Sequence, residues 1–150
     1  MCSSDLILHR PADDGYGALP RIIADMLARK VDIIATAGPV ATLAAKAATG
    51  TTPVLFGLGY DPVELGIVAS YNKPGGNVTG ATFFAGALVP KRLELLAELA
   101  PATRVFGFLV NPASPTTRGQ IEDANIAARR LARELIVLSA SSPPEVEAAF

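Results

Sequence analysis

Asp32-Ile33-Ile34-Ala35-Thr36-Ala37-Gly38-Pro39 (DIIATAGP) is the stretch from which the fold can be read. Residues 31–35 (VDIIA) are apolar on both sides apart from Asp32, the pattern of a buried parallel strand. Thr36-Ala37-Gly38-Pro39 then predicts a tight turn, and Val40, Leu43, Ala44 and Ala47 follow at helical spacing. Strand, small-residue turn and helix in immediate succession are the building unit of an α/β protein.

The same alternation extends outward in both directions. Upstream, Ile7-Leu8-His9-Arg10 predicts the tail of a strand and Asp13-Asp14-Gly15 a turn. Leu19, Ile22, Ile23, Met26 and Leu27 then mark a helix with Pro20 in its first turn. Downstream, Pro53-Val54-Leu55-Phe56 predicts a second buried strand. Asp61-Pro62-Val63-Glu64 carries the signals of a helix start: a capping aspartate, proline at the first helical position and a glutamate to close a capping box. Lys73-Pro74-Gly75-Gly76-Asn77 predicts a turn needing positive φ, followed by a strand over residues 78–84. A helix is expected over residues 89–100 with Leu95, Leu96 and Leu99 inward, and a strand over residues 105–110 (VFGFLV). Ser114-Pro115 opens a long helix holding Ile121, Ala124, Ala128, Leu131 and Ala132; residues 135–138 are a strand, and Pro143-Pro144-Glu145 begins a last helix. Repeated β-α alternation implies parallel sheets with helices on both faces.

Composition bounds the function. The chain has 150 residues, 50% hydrophobic and 18% charged, with a net charge of -1; this is core-forming material without the basic stripe of a nucleic-acid binder. No apolar run reaches the roughly 18 residues of a spanning helix. One cysteine, Cys2, and one histidine, His9, are too few for an internal disulfide, a Cys/His metal cluster or a Ser-His-Asp triad. Neither GxGxxG nor GxxxxGK occurs, so no phosphate fingerprint, no cofactor and no metal are expected. No residue set supports bond-making chemistry, and the reading is of a binding protein, not an enzyme.

Residues 1–6 (MCSSDL) match nothing that follows in character. They resemble the translation of a sequencing-adapter end, and Cys2 therefore carries no functional weight. Residues 7–84 are expected to form a partial first α/β lobe and residues 85–150 the beginning of a second. The bare strand tail at the start and the helix running to Phe150 are the features expected of an internal fragment.

Five segments come in a familiar order. They are residues 32–39 (DIIATAGP); Pro53-Val54-Leu55-Phe56 with Asp61-Pro62-Val63-Glu64-Leu65-Gly66; Pro74-Gly75-Gly76-Asn77-Val78-Thr79-Gly80; Lys91-Arg92-Leu93-Glu94-Leu95-Leu96; and Val110-Asn111-Pro112. Together they resemble the ABC-transporter substrate-binding family whose better-known members bind aromatic amino acids such as tryptophan. The resemblance covers residues 7–150, and its strength lies in five segments at compatible spacing, since DPVE or PGGN alone is weak. It implies a type I periplasmic-binding-protein fold of two Rossmann-like lobes with parallel sheets, both incomplete over this length. It further implies capture of a small solute between lobes and delivery to an ABC permease and its ATPase, in the periplasm or otherwise outside the cytoplasm, with or without a lipid anchor. Arg133-Glu134 departs from the family, where a glycine commonly precedes the strand, and Gly57-Leu58-Gly59-Tyr60 replaces a more varied loop.

Parallel α/β sheets bind ligands beyond the carboxyl ends of their strands, where helix N-termini present N–H groups to anions. That rule selects Thr36, Ala37, Gly38, Gly57, Asp61, Asn111, Ser114 and Thr116. Each has a plain alternative. Thr36-Ala37-Gly38 grips a ligand carboxylate or is only a cap and turn. Asp61 neutralises a ligand ammonium or caps its own helix. Asn111 faces the cleft or is a turn residue before proline. Ser114 touches ligand or caps the helix after it. Tyr60 stacks on an aromatic ligand or, the reading favoured, is an ordinary exposed aromatic, and Asn77-Val78-Thr79 fits a glycosylation acceptor without other reason to be modified. Two rival functions share the composition: an extracellular sensory domain of the same fold in a signalling protein, and a small-molecule α/β enzyme.

Overall fold

The computed structural model describes residues 7–10 and 15–149. The hexapeptide 1–6, Asp13-Asp14 of the predicted turn and Phe150 lie outside the described residues. The chain forms two compact units. One takes the residues up to Leu58 together with Pro62–Ala81; the other takes Gly59–Asp61 together with those from Thr82 on.

The first unit runs α1 (Leu19–Ala28), β1 (Ile34–Ala37), α2 (Pro39–Ala48), β2 (Val54–Leu58) and most of β3 (Val78–Thr82). The strands form one sheet in the order β1-β2-β3. β1 and β2 are parallel, with Ile34 opposite Val54 and Ala37 opposite Gly57. Period-two alternation in β2 buries Val54, Phe56 and Leu58 on one face. That face packs with Ile34 and Val78 against Leu19 and Ile23 of α1, Ala45 of α2, and Ile67 and Val68. The opposite face is open, with Leu55 50% exposed.

Three expectations need correction in this unit. The first strand covers Ile34–Ala37, not residues 31–35, so Thr36 and Ala37 end the strand and do not form a turn; Ile33, read as buried, is exposed. The sheet is covered on one face only among the described residues, because apolar strand residues there alternate between core and surface. Ile7-Leu8-His9-Arg10 joins no strand.

Asp61-Pro62-Val63-Glu64 does not open a helix. Residues 62–66 are turns. The Pro62 carbonyl accepts from the Ile67 N–H at 2.8 Å and the Val68 N–H at 3.2 Å, and Gly66 adopts φ 65. Burial of Ile67 and Val68 in the core outweighs the capping signal, because a regular helix needs an apolar stripe that residues 65–72 cannot continue. The Pro74-Gly75-Gly76-Asn77 turn has the positive φ predicted for it, 73 at Gly75 and 134 at Gly76. Its asparagine is structural: Asn77 Nδ2 donates to the Thr49 and Thr52 carbonyls at 3.0 and 2.7 Å, and its own carbonyl accepts from Val54 N–H. Gly80 is obligatory, since a Cβ there would lie 2.1 Å from the Phe56 carbonyl oxygen.

The second unit runs α3 (Val89–Leu99), β4 (Val105–Val110), α4 (Thr117–Arg130), β5 (Glu134–Ser139) and α5 (Pro143–Ala148). β4 and β5 are parallel from Val105 opposite Glu134 to Val110 opposite Ser139. The core gathers Val89 and Leu93 of α3, Phe106 of β4, and Ala124 and Ala127 of α4. The inward face of α3 is therefore Val89 and Leu93; Leu95, Leu96 and Leu99, expected inside, are 45%, 49% and 82% exposed. The next unit of turn C-terminal to Leu93 on that stripe is Ala97, which lies against the core. α4 begins three residues later than Ser114, with Thr116 at its N-cap. Its exit places Ala132 at φ 53.

Candidate functional site

In the first unit, four selected residues meet at the carboxyl ends of parallel β1 and β2. Thr36 and Ala37 end β1, Gly38 follows as the N-cap of α2, and Gly57 lies directly opposite Ala37. The Gly38 N–H donates to the Gly57 carbonyl at 3.1 Å, tying the two strand ends together. Gly38 has φ 83, and a Cβ at either glycine would meet nothing within 4 Å, so the backbone here borders open space. Pro39 opens the helix, which leaves the unpaired N–H groups of its first turn to Val40 and Ala41.

The hydroxyls of this corner have a definite direction. Thr42 is fully buried, and its Oγ1 donates to the Gly38 carbonyl at 2.7 Å. A hydroxyl has one hydrogen, so the 2.9 Å contact between Thr36 Oγ1 and Thr42 Oγ1 is donated by Thr36. Thr36 therefore presents lone pairs outward, and donors for an anion must come from the backbone.

In the second unit, Asn111 directly follows β4 and accepts the Ala113 N–H on Oδ1 at 2.9 Å. The Asn111 backbone carbonyl accepts from Ser114 N–H and from the Thr117 hydroxyl. Ser114 does not cap α4; its Oγ lies 2.9 Å from Thr116 Oγ1 and accepts the Thr116 N–H at 3.4 Å. Pro115 and the two hydroxyls shape a turn before the helix, which delays its start. Thr116 is 9% exposed. Gly59–Asp61 belongs to this unit, and Asp61 is not an unpartnered carboxylate.

Two polar residues outside the selected set complete the second cluster. Gln120 Nε2 donates to Thr116 Oγ1 and to Tyr60 Oη, both at 2.8 Å. Tyr60 is held in turn: its carbonyl accepts from Thr82 Oγ1 at 2.8 Å, and Gly86 N–H donates to the Gly59 carbonyl at 2.8 Å. Tyr60 stands in the sequence as an exposed aromatic, and nothing local marks Gln120, whose partner is sixty positions away. A separate groove between α3 and α4, bordered by Glu94, Asp123 and Arg130, collects none of the selected residues.

Among the described residues there is no group of three metal-ligating side chains, and no helix long and apolar enough to cross a membrane.

Comparison with known proteins supplies the family. A 30% identical relative over 129 residues is a tyrosine-binding protein of Clostridioides difficile; the match takes 86% of this chain and 37% of that protein. Two solved structures share the fold. A conserved domain protein from Vibrio cholerae aligns over 93% of this chain and 47% of its own, with TM-score 0.80 and 23% identity. An ABC domain from Streptococcus pneumonia, solved in complex with L-Trp, aligns over 89% and 46%, with TM-score 0.75 and 21% identity. The chain thus spans less than half the length of these proteins, and its parallel α/β units match their periplasmic-binding-protein-like architecture. The model of the ABC transporter substrate binding protein family matches residues 4–150, and the chain belongs to that family.

Proposed function

We propose that this chain is part of the solute-binding component of a bacterial ABC importer, and that its solute is an aromatic α-amino acid handed on to a membrane permease outside the cytoplasm. The family match over residues 4–150 carries the reading. The names of the relatives support the ligand class, one being tyrosine-binding and one solved with L-Trp.

The strand-end geometry suits such a ligand. Val40 and Ala41 N–H groups at the start of α2 are donors for a carboxylate, favoured by the helix dipole. Thr36 Oγ1, with its hydrogen directed at Thr42, accepts from an ammonium. Ala37, Gly38 and Gly57 keep the corner free of side-chain bulk. In the second unit, considered by itself, Asp61, Asn111, Ser114 and Thr116 are the polar residues that the strand-end rule selects. Binding shifts an open/closed equilibrium by the contacts available only in the closed form.

Titration calorimetry of the full-length protein with L-tyrosine, L-tryptophan and L-phenylalanine tests this reading. Saturable binding of at least one is expected, with a sugar and ATP giving none. Binding of ATP or sugar alone would overturn it. Fractionation of the source cells checks the location, and the protein is expected outside the inner membrane.

A further inference from the structure

We propose that the exposed face of α4 is a self-association surface, on which a second copy of this chain lays its own α4 antiparallel across a two-fold axis. The proposal goes beyond the solute reading and does not depend on it.

The face is one stripe. Ala124, Ala127 and Ala128 are the buried side of α4. On the other side Glu122, Asp123, Ile126, Arg129 and Arg130 are exposed. At about 100° per residue these five fall within roughly 120° of the helix circumference, with Ile126, 44% exposed, at the centre. The two acids stand about one turn before Ile126 and the two arginines about one turn after it. Gly119, a further turn back on the same stripe, carries no side chain to hold a second helix off, and a Cβ there would meet nothing within 4 Å.

These charges lack partners within the chain. Glu122 and Arg129, like Asp123 and Arg130, are seven positions apart, whereas ion pairs along a helix form at about three or four. Among the described residues none of the four enters an ion pair or a side-chain hydrogen bond. Glu94 of α3, which borders the same groove as Asp123 and Arg130, is taken by Lys91 at 3.0 Å. The helix dipole accounts for the arginines, which lie in the last turn, but not for the acids, which lie outside the first.

A two-fold axis beside Ile126 supplies the partners. An isologous contact brings a patch against itself, so that residue i of one copy meets residue j of the other and j meets i. With the helices antiparallel, Ile126 meets Ile126 of the second copy. Glu122 then meets Arg129 of the second copy, and Asp123 meets its Arg130, each pair on its own side of the isoleucine. Both pairs recur by symmetry, so charge closes around one apolar contact. A parallel pairing would set acid on acid and base on base. The stripe is complementary to itself in one orientation only. Exposed ion pairs contribute little each, and one helix face is smaller than the interface of a permanent dimer. The association is therefore weak, with a Kd on the order of 10⁻⁴ M at low salt.

Analytical ultracentrifugation of the full-length protein, from about 10 µM to about 1 mM, tests this. A monomer–dimer equilibrium is expected, weakening by roughly tenfold or more as salt rises from about 50 to about 500 mM. A basic variant, Glu122→Lys with Asp123→Lys, and an acidic one, Arg129→Glu with Arg130→Glu, are each expected to stay monomeric. Mixed in equal amounts they are expected to form a heterodimer, since every facing pair is then opposite in charge. Thermal unfolding checks that each variant is folded. Should either fail to fold, Ile126→Lys, which leaves the four charges in place, is used instead and is expected to abolish the dimer. A full-length protein that stays monomeric at about 1 mM overturns the proposal, and marks the face as covered by another part of the chain or by nothing. So does a dimer that the charge reversals leave at full strength. Two folded, monomeric variants that stay apart when mixed overturn it as well, and reduce the charges to a role in helix stability.

Discussion

Thr42 shows how one buried hydroxyl orients a corner of the molecule. It is fully buried, donates to the Gly38 carbonyl and receives the Thr36 hydrogen. Thr42→Val keeps the shape and removes both side-chain bonds, leaving the Gly38 carbonyl with only the Thr42 N–H at 3.3 Å and Thr36 Oγ1 with only the long contact to the Leu55 carbonyl at 3.5 Å. A loss of about 1–3 kcal/mol in unfolding free energy is expected by denaturant titration, and an unchanged midpoint would disprove the assigned network. Asp61 poses a different question. Its capping signal is real in chemistry and misplaced in structure, since turns and not a helix follow it. Asp61→Asn keeps a carbonyl oxygen for local bonds and drops the charge. Affinity for the amino acid is expected to change less than roughly tenfold by calorimetry; a larger loss would assign the ligand ammonium to Asp61.

At the scale of elements, strands and helices were legible where local pattern and burial agree. β4 has the predicted ends, Val105 and Val110, because the VFGFLV run is bounded by Arg104 on one side and Asn111-Pro112 on the other. The placement of Thr36, Ala37 and Gly38 at a strand end follows the same logic, since a parallel α/β unit gathers such residues at the carboxyl ends of its strands. What stayed hidden depends on distant partners: the inward stripe of α3, set by where Phe106 and α4 lie, and the bond from Gln120 to Tyr60. The capping signal at Asp61 failed because it reports local preference, whereas Ile67 and Val68 answer to the core. Beyond the end of α4, Ala132 has φ 53, a left-handed position after the helix that normally favours glycine. Ala132→Gly relieves about 1–2 kcal/mol of strain and costs some unfolded-state entropy, so a net gain of about 0.5–1 kcal/mol is expected. A lowered melting temperature would contradict it. α5 carries a pH-dependent start. Glu145 accepts from the Ser141 N–H and from the Ser142 and Ser141 hydroxyls, which hold its carboxyl below the usual range. A carboxyl depressed in the folded state stabilises above its unfolded pKa, and that contribution is lost as pH falls through the folded one. Amide exchange at Ser141, whose N–H the carboxylate accepts, and at Val146 in the first turn is therefore expected to lose protection, relative to Glu145→Gln, as acid titrates this group.

For the molecule as a whole, the decisive feature is that each sheet has one apolar face without helices among the described residues. In the first unit this face carries Leu55, and Ile33 beside the strand, 50% and 59% exposed. In the second it carries Val105, Leu109 and Ile136, at 42%, 37% and 47%, since the parallel register puts these residues on the side opposite Phe106 and Leu135. Among the described residues the second sheet has two strands, both of them edges. Apolar faces of this kind bind dyes and one another, and open strand edges template pairing. A sheet so small also buries little surface against the entropy of ordering its residues. A polypeptide of residues 7–150 expressed by itself is therefore expected to show helical far-UV dichroism, weak near-UV signal, dye binding and association that rises with concentration. It is expected to bind no amino acid with useful affinity. Light scattering across a dilution series, read beside thermal unfolding, decides the matter. A monodisperse monomer with a sharp two-state transition and no dye binding would mean that these faces are tolerated in water, and that the 144 residues carry a self-sufficient core.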